Sequence, residues 1–217
     1  MRCVHSRSLA EFGYSQRSKQ PAAARTSYMH SVAQSESHLA ILQGHCRLRY
    51  DKLIANQGAF FSMFEGVGEP LEIWVYRLGG EDPSGVRHRI DAKEEGGPPS
   101  HIWHVANAFD DVREAGDVFV FDASVAAGMD TKEGDGPSTA TSTITRITVD
   151  LQSGAVTRRA LHDPGLSVDF LNANPRRLRK RHNYVWGLAS PYTDGSFLIK
   201  VDATASEESG LGAGELR

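Results

Sequence analysis

Short runs of Val, Ile, Phe, Tyr and Trp return every ten to twenty residues along this chain, and Gly, Asp, Pro or Ser separates most of them. No other feature limits the fold as much. Apolar residues at a period of two, with turn residues between the runs, predict strands joined by hairpins rather than helices. The expected strands cover 38–42, 46–50, 71–78, 102–109, 117–123, 142–151, 155–161, 182–189 and 196–202. TVDLQSGAVTRRAL predicts two of them folded about a Ser-Gly turn. Only DKLIANQGAFFSMF (51–64) hints at a helical turn or an irregular excursion. The expected class is all-β. A sandwich, a barrel and a propeller all satisfy the pattern, and no repeat of fixed length selects a WD-type or kelch-type propeller.

A chain of 217 residues has material for one substantial core or two small ones. Its formal charge of -3 gives no global reason to expect nucleic acid or an anionic membrane as partner. Two cysteines, Cys3 and Cys46, with no signal peptide beside them, support neither a disulfide framework nor a zinc knuckle. A reducing compartment follows, cytoplasm or plastid. No stretch has the apolar length needed to cross a bilayer. Residues 1–25 are rich in Arg, Ser and Ala and carry one acid, Glu11, a composition shared by organelle transit peptides and poorly ordered ends. Loops are expected at 79–85, 92–99 and 129–141, and a disordered tail over 203–217. RRLRKRH (176–182) has six basic residues in seven. A solvated loop is the expectation there, ahead of a nuclear signal or a phosphate-binding strip.

The stretch HIWHVANAFD (101–110) raises a chemical question. Strict alternation puts Ile102, His104, Ala106 and Ala108 on one face, and His101, Trp103, Val105 and Asn107 on the other. His104 then shares a face with small apolar residues. It is either a core imidazole satisfied by a backbone carbonyl or a metal ligand. In SYMHS (27–31) an extended backbone places Tyr28, His30 and Val32 on one side, again with a histidine among hydrophobes. His30 and His104 are 74 residues apart, far beyond the spacing of HExxH sites. Such ligands converge only where a fold points distant strands at one axis, as a propeller does with its innermost strands. The other histidines, His5, His38, His45, His88, His101, His162 and His182, lie near turns or polar residues and are expected at the surface.

Three blocks in order resemble the carotenoid cleavage oxygenase family. TSYMHSVAQSESHLAILQGHCRLRYDKL (26–53) resembles its Pro-Ser-Tyr-Met/Val-His-Ser segment, turn and strand, the turn here being Ser35-Glu36-Ser37-His38. HIWHVANAFDD (101–111) resembles its Phe-His-x-x-Asn-Ala-Tyr/Phe-Glu element, with Asp110 for the glutamate. VDFLNANPRRLRKRHNYVWGLAS (168–190) resembles its Glu-Phe-Pro-x-x-Asn and Tyr-x-Tyr-Gly elements, through Asp169, Phe170, Asn174, Tyr184 and Gly187, with Leu171 replacing the proline.

The resemblance implies a seven-bladed β-propeller that holds a mononuclear Fe(2+) on its axis with four histidines, three of them oriented by glutamates. His30 and His104 would be two of those ligands, and Asp169 the acceptor that fixes the imidazole of His104. Aspartate is one methylene shorter than glutamate, so that bond needs a backbone shift or a water. The family's first and last histidine ligands have no counterpart here. The expected fold is therefore a set of antiparallel blades of an incomplete propeller, over 26–202, with 1–25 unassigned; a gene-model fragment or degenerate paralogue is expected. The implied reaction is oxidative cleavage of a polyene double bond in a carotenoid or apocarotenoid by O2. Peripheral membrane contact through 176–182 or GAFFSMF (58–64) is a further expectation. The alternative function is an inactive β-module that binds an apolar ligand or a partner.

Overall fold

The structure is a computed structural model that describes residues 27–50, 54, 64–66, 68, 70–79, 89–93, 97–113, 116–127, 141–163, 165–190 and 195–204. The expectations placed on 1–25, and on most of 51–64, 79–85, 129–141 and 203–217, lie outside these residues. So does part of 92–99. The described strands are β1 (Val32–Gln34), β2 (His38–Gln43), β3 (Cys46–Leu48), β4 (Phe64–Gly66), β5 (Glu72–Arg77), β6 (Arg89–Lys93), β7 (Ser100–Arg113), β8 (Gly116–Ala127), β9 (Ser142–Asp150), β10 (Val156–Ala160), β11 (Ser167–Ala173), β12 (Tyr184–Ser190) and β13 (Phe197–Asp202). No helix among the described residues is long and apolar enough to cross a membrane.

Every pairing is antiparallel. The sheets run β1-β2-β5-β6, β10-β9-β8-β7 and β11-β12-β13, with β3 and β4 forming a small pair inserted between β2 and β5. The Ser-Gly turn joins β9 to β10 as its sequence predicts, with Gly154 at a φ of 74° that glycine tolerates without cost. Strand β7 packs against β1 on one side and β11 on the other, so these three are the inner strands of successive blades. The expected all-β class holds, as antiparallel blades of an incomplete propeller.

Apolar residues fill the seams between blades. Leu42, Ile73 and Val75 of the first blade meet Phe119, Phe121 and Ile147 of the second. Ile144 and Ala106 of the second meet Val168, Val185 and Ile199 of the third. Burying each larger side chain is worth about 1.5–3 kcal/mol, so the seams hold the blades together.

One seam also contains charge. Asp122 on β8 and Arg146 on β9 face each other in register, 0% and 5% exposed. Their contact is two-pronged, with Arg146 Nε donating to Oδ1 at 2.8 Å and Nη2 to Oδ2 at 2.9 Å. Arg146 Nη1 reaches into the third blade to donate to the Ala203 carbonyl at 3.1 Å. His182 Nε2 stands 2.8 Å from Asp122 Oδ2. Burial pushes the Asp122 carboxyl up, but hydrogen bonds and charge from Arg146 and His182 outweigh that and hold it below the usual carboxylate range. His182, expected at the surface, is thus buried beside the pair.

The basic turn is exposed at 174–181, as expected, yet its backbone is pinned. Asn107 Nδ2 lies 3.0 Å from Arg177 O, 2.9 Å from Lys180 O and 3.0 Å from His182 Nδ1, while Oδ1 accepts from the Arg179 amide at 2.7 Å. Two amide protons serve three acceptors, so they are shared. Arg146→Ala would strand Asp122 in the seam. We expect a loss of about 3–5 kcal/mol, read as a lower urea midpoint at unchanged slope.

Candidate metal centre

Strand β7 does not alternate as its sequence suggests. Ile102 lies opposite Val125, Val105 opposite Ala123, and Asn107 opposite Asp122. Two extra residues are therefore inserted, one between 102 and 105 and one between 105 and 107. Each bulge reverses the faces. Ile102, Val105 and Ala108 consequently share the first seam, while Ala106 enters the second. The expected common face of Ile102, His104, Ala106 and Ala108 is corrected accordingly. His104 sits in the first bulge, where its side chain is re-aimed between the neighbouring inner strands.

His30, exposed and two residues ahead of β1, meets it there. The two Nε2 atoms are 3.3 Å apart and the rings are nearly perpendicular at 87°. Asp169 on β11 accepts from His104 Nδ1 at 2.8 Å. Tyr28 Oη lies 3.1 Å from His30 Nδ1. These contacts form one consistent donor chain that ends on a carboxylate: Tyr28 O–H to His30 Nδ1, His30 Nε2–H to His104 Nε2, and His104 Nδ1–H to Asp169. The carbonyl partner considered for His104 is replaced by this carboxylate.

The donor set fits a cation. Two nitrogens bound at about 2.0–2.1 Å to one ion, at angles between octahedral and tetrahedral, stand roughly 2.9–3.4 Å apart. The observed 3.3 Å lies within that window. Rotating the Tyr28 hydroxyl lets His30 carry its proton on Nδ1 instead, which leaves a lone pair on each Nε2. Among the described residues, no third His, Cys, Asp or Glu joins them in a metal-holding group. Burial lowers the His30 pKa first, the neighbouring His104 lowers it further, and Asp169 partly opposes them. Both lowering causes favour the neutral ring that a metal requires.

Asp169 reaches His104 through a third bulge. It lies opposite Leu188 and Asn172 opposite Trp186, so Gly187 alone faces Phe170 and Leu171. A Cβ on Gly187 would come within 2.5 Å of Val168 Cγ1 and 2.9 Å of Leu171 Cδ2. Phe170 adopts a φ of 51°, costly for a residue with a side chain, and its ring lies 4.9 Å from that of His104. This irregularity hides β11 from a search for alternation, and beside it the shorter aspartate reaches His104 directly at 2.8 Å. A cavity of about 310 Å³, lined by Val32, Gln34, Val105, Ala106, Ala108 and Arg179 among others, runs along β1 and β7.

Four further histidines expected at the surface serve inside. His38 Nδ1 contacts Asp110 Oδ1 at 2.6 Å, and the same carboxylate accepts from Ser35 and Ser37 hydroxyls at 2.9 and 2.6 Å. Burial raises the Asp110 carboxyl, yet these hydrogen bonds outweigh it and hold the pKa at about 2. Asp110 thus pins the turn ahead of β2. His162 accepts from the Ile144 amide at 3.0 Å and donates through Nδ1 to the Asp163 carbonyl at 2.7 Å. His45 Nδ1 accepts from the Gly68 amide at 2.6 Å. His101 is 2% exposed, packs edge-on against Trp103, and among the described residues neither ring nitrogen has a hydrogen-bond partner.

Burial pushes the His101 pKa down to about 4, with His30 and His45 adding to the effect. A folded pKa below the unfolded value means that the unfolded chain takes up the proton first. Stability is then complete above pH 6.5 and lost as pH falls towards 4, by on the order of 3 kcal/mol. His101→Phe should flatten this dependence in urea titrations across that range.

The model of the retinal pigment epithelial membrane protein family matches residues 4–215. A Synechocystis apocarotenoid oxygenase carrying a tryptophan-to-alanine change aligns at a TM-score of 0.62 with 20% identity, over 88% of this chain and 38% of that one. The cobalt-substituted Synechocystis enzyme aligns at 0.60 with 18% identity over the same shares. The chain thus spans 38% of the length of these structures, and at such identity the likeness bears on the fold. No curated protein matches it.

Proposed function

This chain belongs to the retinal pigment epithelial membrane protein family, the carotenoid cleavage oxygenases, and we propose that it contributes half of a non-haem Fe(2+) site. In this reading His30 and His104 are two of the ligands, and Asp169 orients His104. The observation that carries it is the 3.3 Å approach of two imidazole nitrogens from segments 74 residues apart. Bound there, Fe(2+) would supply the binding and activation of O2. The overall reaction would be oxidative cleavage of a polyene double bond in a carotenoid or apocarotenoid.

The chain's own residues have separable tasks. Asp169 keeps the His104 proton on Nδ1, leaving Nε2 free to bind. Tyr28 does the same for His30 when its hydroxyl oxygen accepts from Nδ1–H, 3.1 Å away. The Phe170 ring, 66% exposed beside His104, offers an apolar wall to a hydrocarbon chain. The exposed Arg176, Arg177 and Arg179 support peripheral contact with an anionic membrane surface, where polyenes partition. The propeller-like unit is assigned to 26–202, working in cytoplasm or plastid.

Anaerobic titration with Fe(2+) or Co(2+) tests the site. We expect stoichiometric uptake by the chain, its loss in His104→Ala, and affinity lowered about 10–100-fold in Asp169→Asn. Metal uptake unchanged in His104→Ala would overturn the assignment. Absence of uptake by the unaltered chain would favour an apolar-ligand or partner-binding module.

A further inference from the structure

The bulge that re-aims His104 leaves Trp103 and His104 without partner residues across on β8. An irregular backbone at that place needs something to hold it, and the ladder does not. The Trp103 carbonyl accepts a hydrogen bond at 2.7 Å from Ser31 Oγ. Ser31 is the residue after His30, and Trp103 the residue before His104. One short bond therefore ties together the two backbone segments that carry the facing imidazoles. The His30 ring packs edge-on against the Trp103 indole at 5.6 Å and 75°, which closes the same junction from the other side.

We propose that Ser31 is a positioning residue for the metal pair: its hydroxyl, by holding the Trp103 carbonyl, sets the separation and mutual angle of His30 and His104. The inference rests on the metal reading above for its purpose, but not for its geometry. Asp169 and Tyr28 orient individual rings, each about its own Cβ. Neither fixes the distance between the segments bearing those rings. Among the described residues of the junction, Ser31 is the side chain that bonds from one segment to the backbone of the other. A carbonyl is the right target, because its position follows the bulge itself, whereas a side-chain target would follow a rotamer. The distance of 2.7 Å is that of a well-formed hydroxyl–carbonyl bond, and Ser31 is half-buried, so water competes poorly for it.

The test uses the full chain with Ser31→Ala, which removes the donor, and Ser31→Thr, which retains it. The first readout needs no metal: a nuclear Overhauser contact between the ring protons of His30 and His104, whose centroids lie 4.9 Å apart. We expect this contact in the unaltered chain, its loss or strong weakening in Ser31→Ala, and its return in Ser31→Thr. The second readout is Co(2+) titration followed by d–d absorption. Ser31→Ala should bind about 10-fold or more weakly, with altered band positions, and Ser31→Thr should resemble the unaltered chain. Circular dichroism checks that Ser31→Ala stays folded, and if it does not, Ser31→Cys, a weaker donor of similar size, takes its place with the same expectations. A ring contact that persists unchanged in the folded donor-deficient variant overturns the proposal. Loss of that contact in a chain that takes up no Co(2+) supports the brace while overturning the metal reading.

Discussion

A strand can send only alternate residues towards the axis of a blade, and β7 has more to place there than alternation allows. Its two insertions release it from that rule. With them, Ile102 and Val105 stay in one seam, Ala106 enters the next, and His104 is free to turn towards β1 and β11. A regular β7 would leave the same residues in a well-paired ladder with no pair of facing imidazoles. The site therefore comes from a departure from strand geometry, and the departure is local enough for the rest of the β8 ladder to stay in register.

The surrounding structure maintains this departure with polar contacts rather than bulk. Asp110 gathers His38, Ser35 and Ser37 at one end of β7. Asn107 clamps the turn over 174–181 near its middle. Asp122 and Arg146 tie β8 and β9 to the third blade beneath. Such buried groups are costly to desolvate, and each here is met by several partners. The apolar seams draw the blades together without direction, whereas these contacts dictate how they meet.

Much of the architecture can be read from the chain alone, because nine apolar runs with turn residues between them leave few alternatives to antiparallel sheets. The approach of His30 to His104 is a different matter. Spacing says nothing in its favour, and only the resemblance of three ordered motifs pointed to it. β11 escaped detection because its bulge breaks the period and Phe170 is left facing water. The buried histidines are not legible in the sequence because polar neighbours along the chain resemble those of an exposed ring. For His38, His162 and Nδ1 of His182, those neighbours, or polar groups brought by folding, supply hydrogen bonds inside. Burial of a polar side chain depends on partners in space, which a local pattern cannot supply.

The imidazole on β7 is steered by a carboxylate on the adjacent blade, across 65 residues of chain. Separation of the third blade from the second along that 2.8 Å contact by about one ångström would take it out of hydrogen-bonding range. The orientation of His104 is thereby geared to the mechanical rigidity of an oily seam some residues away. Softening Ile144 or Val168 there would loosen the steering without touching a single polar atom.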